Sequence, residues 1–157
     1  MYENRKIVTP DTFKYYKLVG DSLESPRVLI GECALARRGL TSLLSETMQL
    51  STLYTDITGL SNFIVQWYFN PFADKYMHCT PSIQHPMILE PDRERALVEY
   101  IMFHDYFNEG ILIEGLQNYL WHNNGNYDKL VEVGKEFYLK RSYIDYWVNE
   151  AINDPTE

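Results

Sequence analysis

At Pro91 the spacing of apolar residues changes, and the change divides the chain into a sheet-forming part and a helix-forming part. Ahead of it, Phe63 to Phe69 alternates, with Phe63, Val65, Trp67 and Phe69 on one face, the period of a half-buried strand. Met48 to Thr55 reads as an earlier strand, Asp56 to Ser61 as the turn between, and Tyr76–Thr80 and Ile83–Leu89 as shorter strands. Pro81 and Pro86 push those two towards the sheet edge, because proline cannot donate to a ladder. No crossover helix separates these strands, so an antiparallel sheet of three to five strands is predicted, with Trp67 and Phe69 in the core.

After Pro91 the period lengthens to that of a helix. Asp92 to Phe103 places Ala96, Leu97, Tyr100, Ile101 and Phe103 on one side, and Asn108 can cap a second helix carrying Ile111, Leu112, Leu116, Leu120 and Trp121. A turn at 123–126 leads to a third helix, Tyr127 to Tyr138, and a fourth follows from Ser142 to Asn153. Nearer the start, Thr9 and Pro10 suit a helix N-terminus, with Phe13, Tyr16 and Leu18 on a short helix ending near Gly20. Arg27 to Arg38 is predicted as another helix, with Gly39 as its left-handed cap. The expected fold class is α+β: N-terminal helices, a central antiparallel sheet and a C-terminal layer of four helices. Residues 1–90 and 91–157 are expected to share one compact domain.

Several chemistries are disfavoured. No apolar run reaches the roughly 20 residues that span a bilayer, and Met1 is followed by polar residues, so a cytoplasmic protein without membrane attachment is expected. Cys33 and Cys79 form no CxxC pair and read as buried free thiols. His78, Cys79, His85, His104 and His122 match no metal-ligand spacing, and nothing local activates Cys79 or His104 as a nucleophile and base. The phosphate-cradling glycine motifs are missing too. Neither catalysis nor a cofactor is therefore expected, and no catalytic, cofactor-binding or metal residue is assigned.

Charge points instead to a macromolecular partner. Residues 1–90 hold nine acids and eight bases, whereas 91–157 hold thirteen acids and six bases. A negative field of that kind repels nucleic acid and attracts a basic protein surface. Asp92, Glu99, Asp105, Glu109 and Glu114 are the candidate docking residues, with exposed tyrosines from a set of thirteen assisting. The run Asp92, Glu94, Glu99 among Arg93 and Arg95 reads as a solvated helix face with local ion pairs.

One stretch has helix-turn-helix spacing. Gly134 stands where two helices would touch, the turn falls four residues on, and Ile144 follows six later. Tyr138 occupies the turn position where glycine is usual. The following helix offers Lys140, Arg141, Ser142, Tyr143 and Tyr146, with basic residues only at its start, so a packing unit without DNA contact is the favoured reading.

The segments Gly31-x-x-Ala34-Leu35 with Gly39-Leu40, and Pro91-x-x-Glu94-Arg95-Ala96, keep an order and spacing similar to the abortive-infection antitoxins of the AbiEi type. The resemblance covers residues 27–121. It implies a helix, then strands, then a helix, and a protein that counteracts a nucleotidyltransferase toxin. Members carry a winged helix ahead of this region, which residues 1–26 are too few to build, so the resemblance implies the partner-facing domain and not operator binding. Two other readings stay open: a phage or mobile-element inhibitor acting as an acidic decoy for a nucleic-acid-handling complex, and a DNA-binding regulator using residues 127–153.

Overall fold

A computed structural model of the protein describes residues 14–42, 47–53 and 58–154. The expected helix start at Thr9-Pro10, and parts of the expected 48–55 strand and 56–61 turn, lie outside them. The class is α+β: the described residues form six helices, a small mixed sheet and a parallel pair of strands. Helix α1 (Lys14–Ser22) leads to strand β1 (Arg27–Val28), helix α2 (Gly31–Arg37) and strands β2 (Met48–Thr52), β3 (Val65–Phe69), β4 (Cys79–Pro81) and β5 (Ile88–Pro91). Helices α3 (Arg93–Met102), α4 (Glu109–Gln117), α5 (Tyr127–Glu136) and α6 (Arg141–Ile152) form the C-terminal layer. A 3-10 turn at His104–Tyr106 precedes α4, and a π-helical turn at Asn118–His122 follows it.

Strand direction departs from expectation. β1 pairs with β5 in parallel, β2 with β3 in parallel, and only β4 with β5 runs antiparallel. Leu29 bridges Leu50, and the Ile30 amide donates to the Gln49 carbonyl at 2.9 Å, which joins the two sheets in the order β4-β5-β1-β2-β3. The reason lies in the connections. Residues 53–64 are a linker long enough for a crossover, and β1 and β5 are brought together across the whole β2–β4 region.

The segment 27–38 is a strand followed by a helix, not one helix. Val28, Leu29 and Ile30 are fully buried, and a short apolar run buried on both faces has no period by which a strand differs from a helix. Gly31, at φ +69°, makes the change of direction. The predicted cap at Gly39 is present at φ +72°: Gly39 N–H donates to Ala36 O and Leu40 N–H to Leu35 O, the two bonds of a Schellman ending. On β3, Val65 is buried and Trp67 packs half-buried against the core, but Phe69 is 64% exposed and Phe63 85% exposed. Phe69 is therefore not a core residue: among the described residues β3 hydrogen-bonds only β2, and the apolar face of this edge strand is covered at Val65 and progressively uncovered towards its end.

The C-terminal helices lie close to their expected spans, and Asn108 caps α4 as expected. Asp92 accepts from Arg95 N, Asn108 from Gly110 N and Ile111 N, and Asn126 from Lys129 N. Helix α3 is the axis of the domain. Every residue from Glu94 to Ile101 is buried, and α3 touches α2, α4, α5 and α6. A single apolar cluster runs from Tyr16 to Ala151 and so joins the two parts of the chain.

Burial of α3 on all sides overturns the reading of its charges as a solvated face. Arg95 and Glu99 are completely enclosed and paired at 3.1 Å. Arg95 also donates to the carbonyls of Phe72, Lys75 and Met77, and Glu99 accepts from Asn70 Nδ2 at 2.9 Å. Burial pushes the Glu99 carboxyl above the ordinary glutamate range, while Arg95 draws it down. Removing one member leaves an uncompensated enclosed charge, so Arg95→Met and Glu99→Gln are each expected to lose about 3–5 kcal/mol in urea unfolding. A loss under about 1 kcal/mol for either would show that the pair does not hold the core together.

Candidate functional site

The five acids singled out from sequence do not form one surface. Glu99 is buried in its pair with Arg95 and is no docking residue. Asp92 caps the start of α3 and lies 3.5 Å from His78 Nδ1, whereas Asp105 follows the other end of that helix, a helix length of about 15 Å away. Glu114 is half-buried and accepts from Thr41 Oγ1 at 2.9 Å. Only Asp105 and Glu109 are brought together, both exposed, at one nitrogen of His104.

That pair belongs to a larger aromatic surface. The His104 ring lies 5.1 Å from the ring of Trp147 on α6, and Trp147 in turn meets Tyr146 edge-on at 5.1 Å. Glu109 Oε2 is 3.1 Å and Asp105 Oδ1 3.4 Å from the same ring nitrogen, His104 Nδ1. Among the described residues this is the one His-Asp-Glu group whose ligand atoms converge, all within 4.8 Å. Since both carboxylates meet one nitrogen, the arrangement serves to orient the imidazole against Trp147. Tyr143, one turn before Tyr146, is 55% exposed, as is Tyr146, and Tyr106 is 70% exposed. Asp145 adds a further carboxylate between the two α6 tyrosines.

The helix-turn-helix spacing has a physical basis. A β-carbon added at Gly134 would stand 2.7 Å from Ile144 Cδ1, so α5 and α6 approach at the predicted position. Leu139 N–H donates to Gly134 O and Tyr138 N–H to Lys135 O, a second Schellman ending with Tyr138 in the left-handed position at φ +59°. Lys140 precedes α6 and is exposed, as are Ser142, Tyr143 and Tyr146. Arg141, however, lies over the Tyr127 ring at 5.5 Å and 3.7 Å from Asp145. The exposed residues of α6 are Arg141, Ser142, Tyr143, Tyr146, Asn149, Glu150 and Ile152, so Arg141 at its start is the one base on that face.

Cys79 is unsuited to nucleophilic chemistry. Its sulfur accepts from Arg95 Nη1 at 3.3 Å, and burial pushes the thiol up to about 12, so it stays protonated at neutral pH. The sequence singles out the α6 tyrosines and Asp105 and Glu109 but carries no sign of the contacts through His104 and Trp147 that bring them near one another. His104 and Trp147 lie 43 positions apart, and no local period links them.

No family model matches the chain, and no curated protein matches it. Among the described residues, no helix is long and apolar enough to cross a membrane.

The left-handed Tyr138 gives a direct test of this turn. Tyr138→Gly should be neutral or up to about 1 kcal/mol more stable in urea unfolding, and Tyr138→Val about 1 kcal/mol less stable, since a β-branched residue resists positive φ. Equal effects of the two substitutions would mean that the turn does not hold the left-handed conformation in solution.

Proposed function

We propose that this protein is a non-catalytic binding protein that docks a basic protein surface on the acidic, tyrosine-rich face built by His104–Tyr106, the start of α4 and the outer side of α6. The observation that carries the reading is the stack Tyr146–Trp147–His104 with Asp105 and Glu109 at its edge. Rigid rings backed by the core, beside carboxylates in solvent, supply what interfaces use most: low-entropy aromatic area and a field that steers the partner.

Two kinds of partner fit this face. The resemblance to abortive-infection antitoxins makes a nucleotidyltransferase toxin the first to test, and a basic nucleic-acid-handling protein is the alternative. In support, α2, β2–β3 and α3 follow one another in the order that the resemblance implies. Direct nucleic-acid binding by α6 is disfavoured, because its two basic residues stand only at its start.

A photo-crosslinking residue at position 143 or 146 should trap the partner in the native host, and one at Ile83, on the sheet side, should not. With that partner purified, Tyr146→Ala should weaken binding about tenfold or more. The on-rate should fall as salt rises from about 50 to 300 mM, and fall again when Asp105, Glu109 and Asp145 become amides. Crosslinks arising only at Ile83, or an on-rate indifferent to both changes, would move the interface to the sheet.

A further inference from the structure

Among the described residues, the acidic protein has a cleft lined largely by bases. Arg37 and Arg38 at the end of α2, Asp92, Arg93 and Glu94 at the start of α3, and Lys129 in the first turn of α5 enclose about 460 Å³ open to solvent. Four of the chain's fourteen bases thus line one concavity in a protein of net charge −8. The volume is in the range of small-ligand sites, roughly 300–1,000 Å³.

The cations are held, but mostly not by short carboxylate contacts. Arg37 does pair with Glu90 at 3.0 Å. Arg38 donates to the Pro91 carbonyl at 2.7 Å and the Glu90 carbonyl at 3.3 Å, and its nearest carboxylate oxygen is at 3.8 Å. Arg93 donates to the Asn123 carbonyl and lies 5.1 Å from the centre of the Tyr119 ring, with Glu94 3.8 Å away. Lys129 is 3.7 Å from Glu94, beyond hydrogen-bond reach. The two acids of the lining have further partners, although Glu94 also stands within 4 Å of Arg93 and Lys129. Glu94 is buried and accepts from the Tyr119 hydroxyl at 2.6 Å, and Asp92 caps α3. Carbonyl anchoring fixes a guanidinium in place and leaves its charge intact, which is how a site keeps cations ready for an incoming anion.

We propose that this cleft binds a small phosphorylated ligand carrying two or more negative charges, with Arg38, Arg93 and Lys129 contacting the phosphate oxygens. The sequence carries no glycine-rich phosphate motif, so recognition rests on side-chain cations from three helices.

Inorganic pyrophosphate and ATP, titrated calorimetrically into the full chain at low salt, test the assignment. Binding is expected for at least one of them. Lys129→Gln and Arg93→Gln should each weaken it about tenfold, the equivalent of one charge-assisted hydrogen bond. Lys135→Gln, exposed on the same helix, should leave it unchanged. Lys129 is half-exposed, so its variant keeps the test valid even if Arg93→Gln is unstable. Equal affinities for pyrophosphate and ATP assign the cleft to the phosphate chain, and a preference for ATP assigns a nucleotide; both support the proposal. No heat with either probe up to about 5 mM overturns it. So does affinity indifferent to Lys129→Gln, and so does a single-stranded oligonucleotide that binds where both small probes fail.

Discussion

A guanidinium with no exposed surface lies at the centre of this protein, and the surrounding chain is arranged to satisfy it. Arg95 reaches the carbonyls of Phe72, Lys75 and Met77, the sulfur of Cys79 and the carboxylate of Glu99, and lies 5.0 Å from the centre of the Phe137 ring. These groups come from an irregular segment, a sheet strand, the same helix and the end of α5. An enclosed cation is tolerated only when its donors are met and its charge is compensated, so each contact is a requirement on the fold. Asn70 extends the network by donating to both Glu99 and Ser51 of β2. Arg95 Nε and Glu99 Oε1 have no partner among the described residues, and the network is held despite that cost.

The proposed binding face depends on this centre through one short path. Phe137 packs by Arg95 and caps the end of α5; the next residue is Tyr138, whose left-handed backbone turns the chain into α6. The position of α6 sets where Trp147 meets His104, and so where Tyr143 and Tyr146 point. Phe72 contributes as well, edge-on to Phe137 at 5.0 Å and 6.1 Å from the Tyr138 ring, while its carbonyl accepts from Arg95. The rings of α6 are therefore positioned by a buried ion pair that they do not touch.

What could be read in the sequence was whatever is encoded locally. The four C-terminal helices have asparagine or aspartate caps or a regular apolar period, and Gly39 and Gly134 announce a helix end and a helix contact by their spacing alone. Strand direction was not legible, because parallel pairing of β2 with β3 and β1 with β5 is decided by the path of the connecting chain. Val28-Leu29-Ile30 misled because a run buried on both faces carries no period. Glu94, Arg95 and Glu99 misled for a related reason: charged residues one turn apart look the same in sequence whether they face water or each other inside a core. The aromatic stack and the basic cleft each join residues from separate elements, and neither has a signature along the chain.

The two ends of α3 carry opposite arrangements of charge, and helix electrostatics separates them. Beyond its C-terminal end, Asp105 and Glu109 lie near the first turn of α4, where the N-terminal end of a helix favours a carboxylate. At its N-terminal end the pattern reverses. Arg93 is the first residue of α3 and Lys129 lies in the first turn of α5, so two cations stand where helix dipoles already present positive charge, each an unfavourable placement of a few tenths of a kcal/mol. Asp92 and Glu94 offset part of that: Asp92 caps α3, and Glu94 accepts from Tyr119 while standing within 4 Å of both Arg93 and Lys129. The two bases at two helix starts face one cavity with Arg38. An anion entering it would meet the cations and the helix N-termini together, so that both would favour its binding.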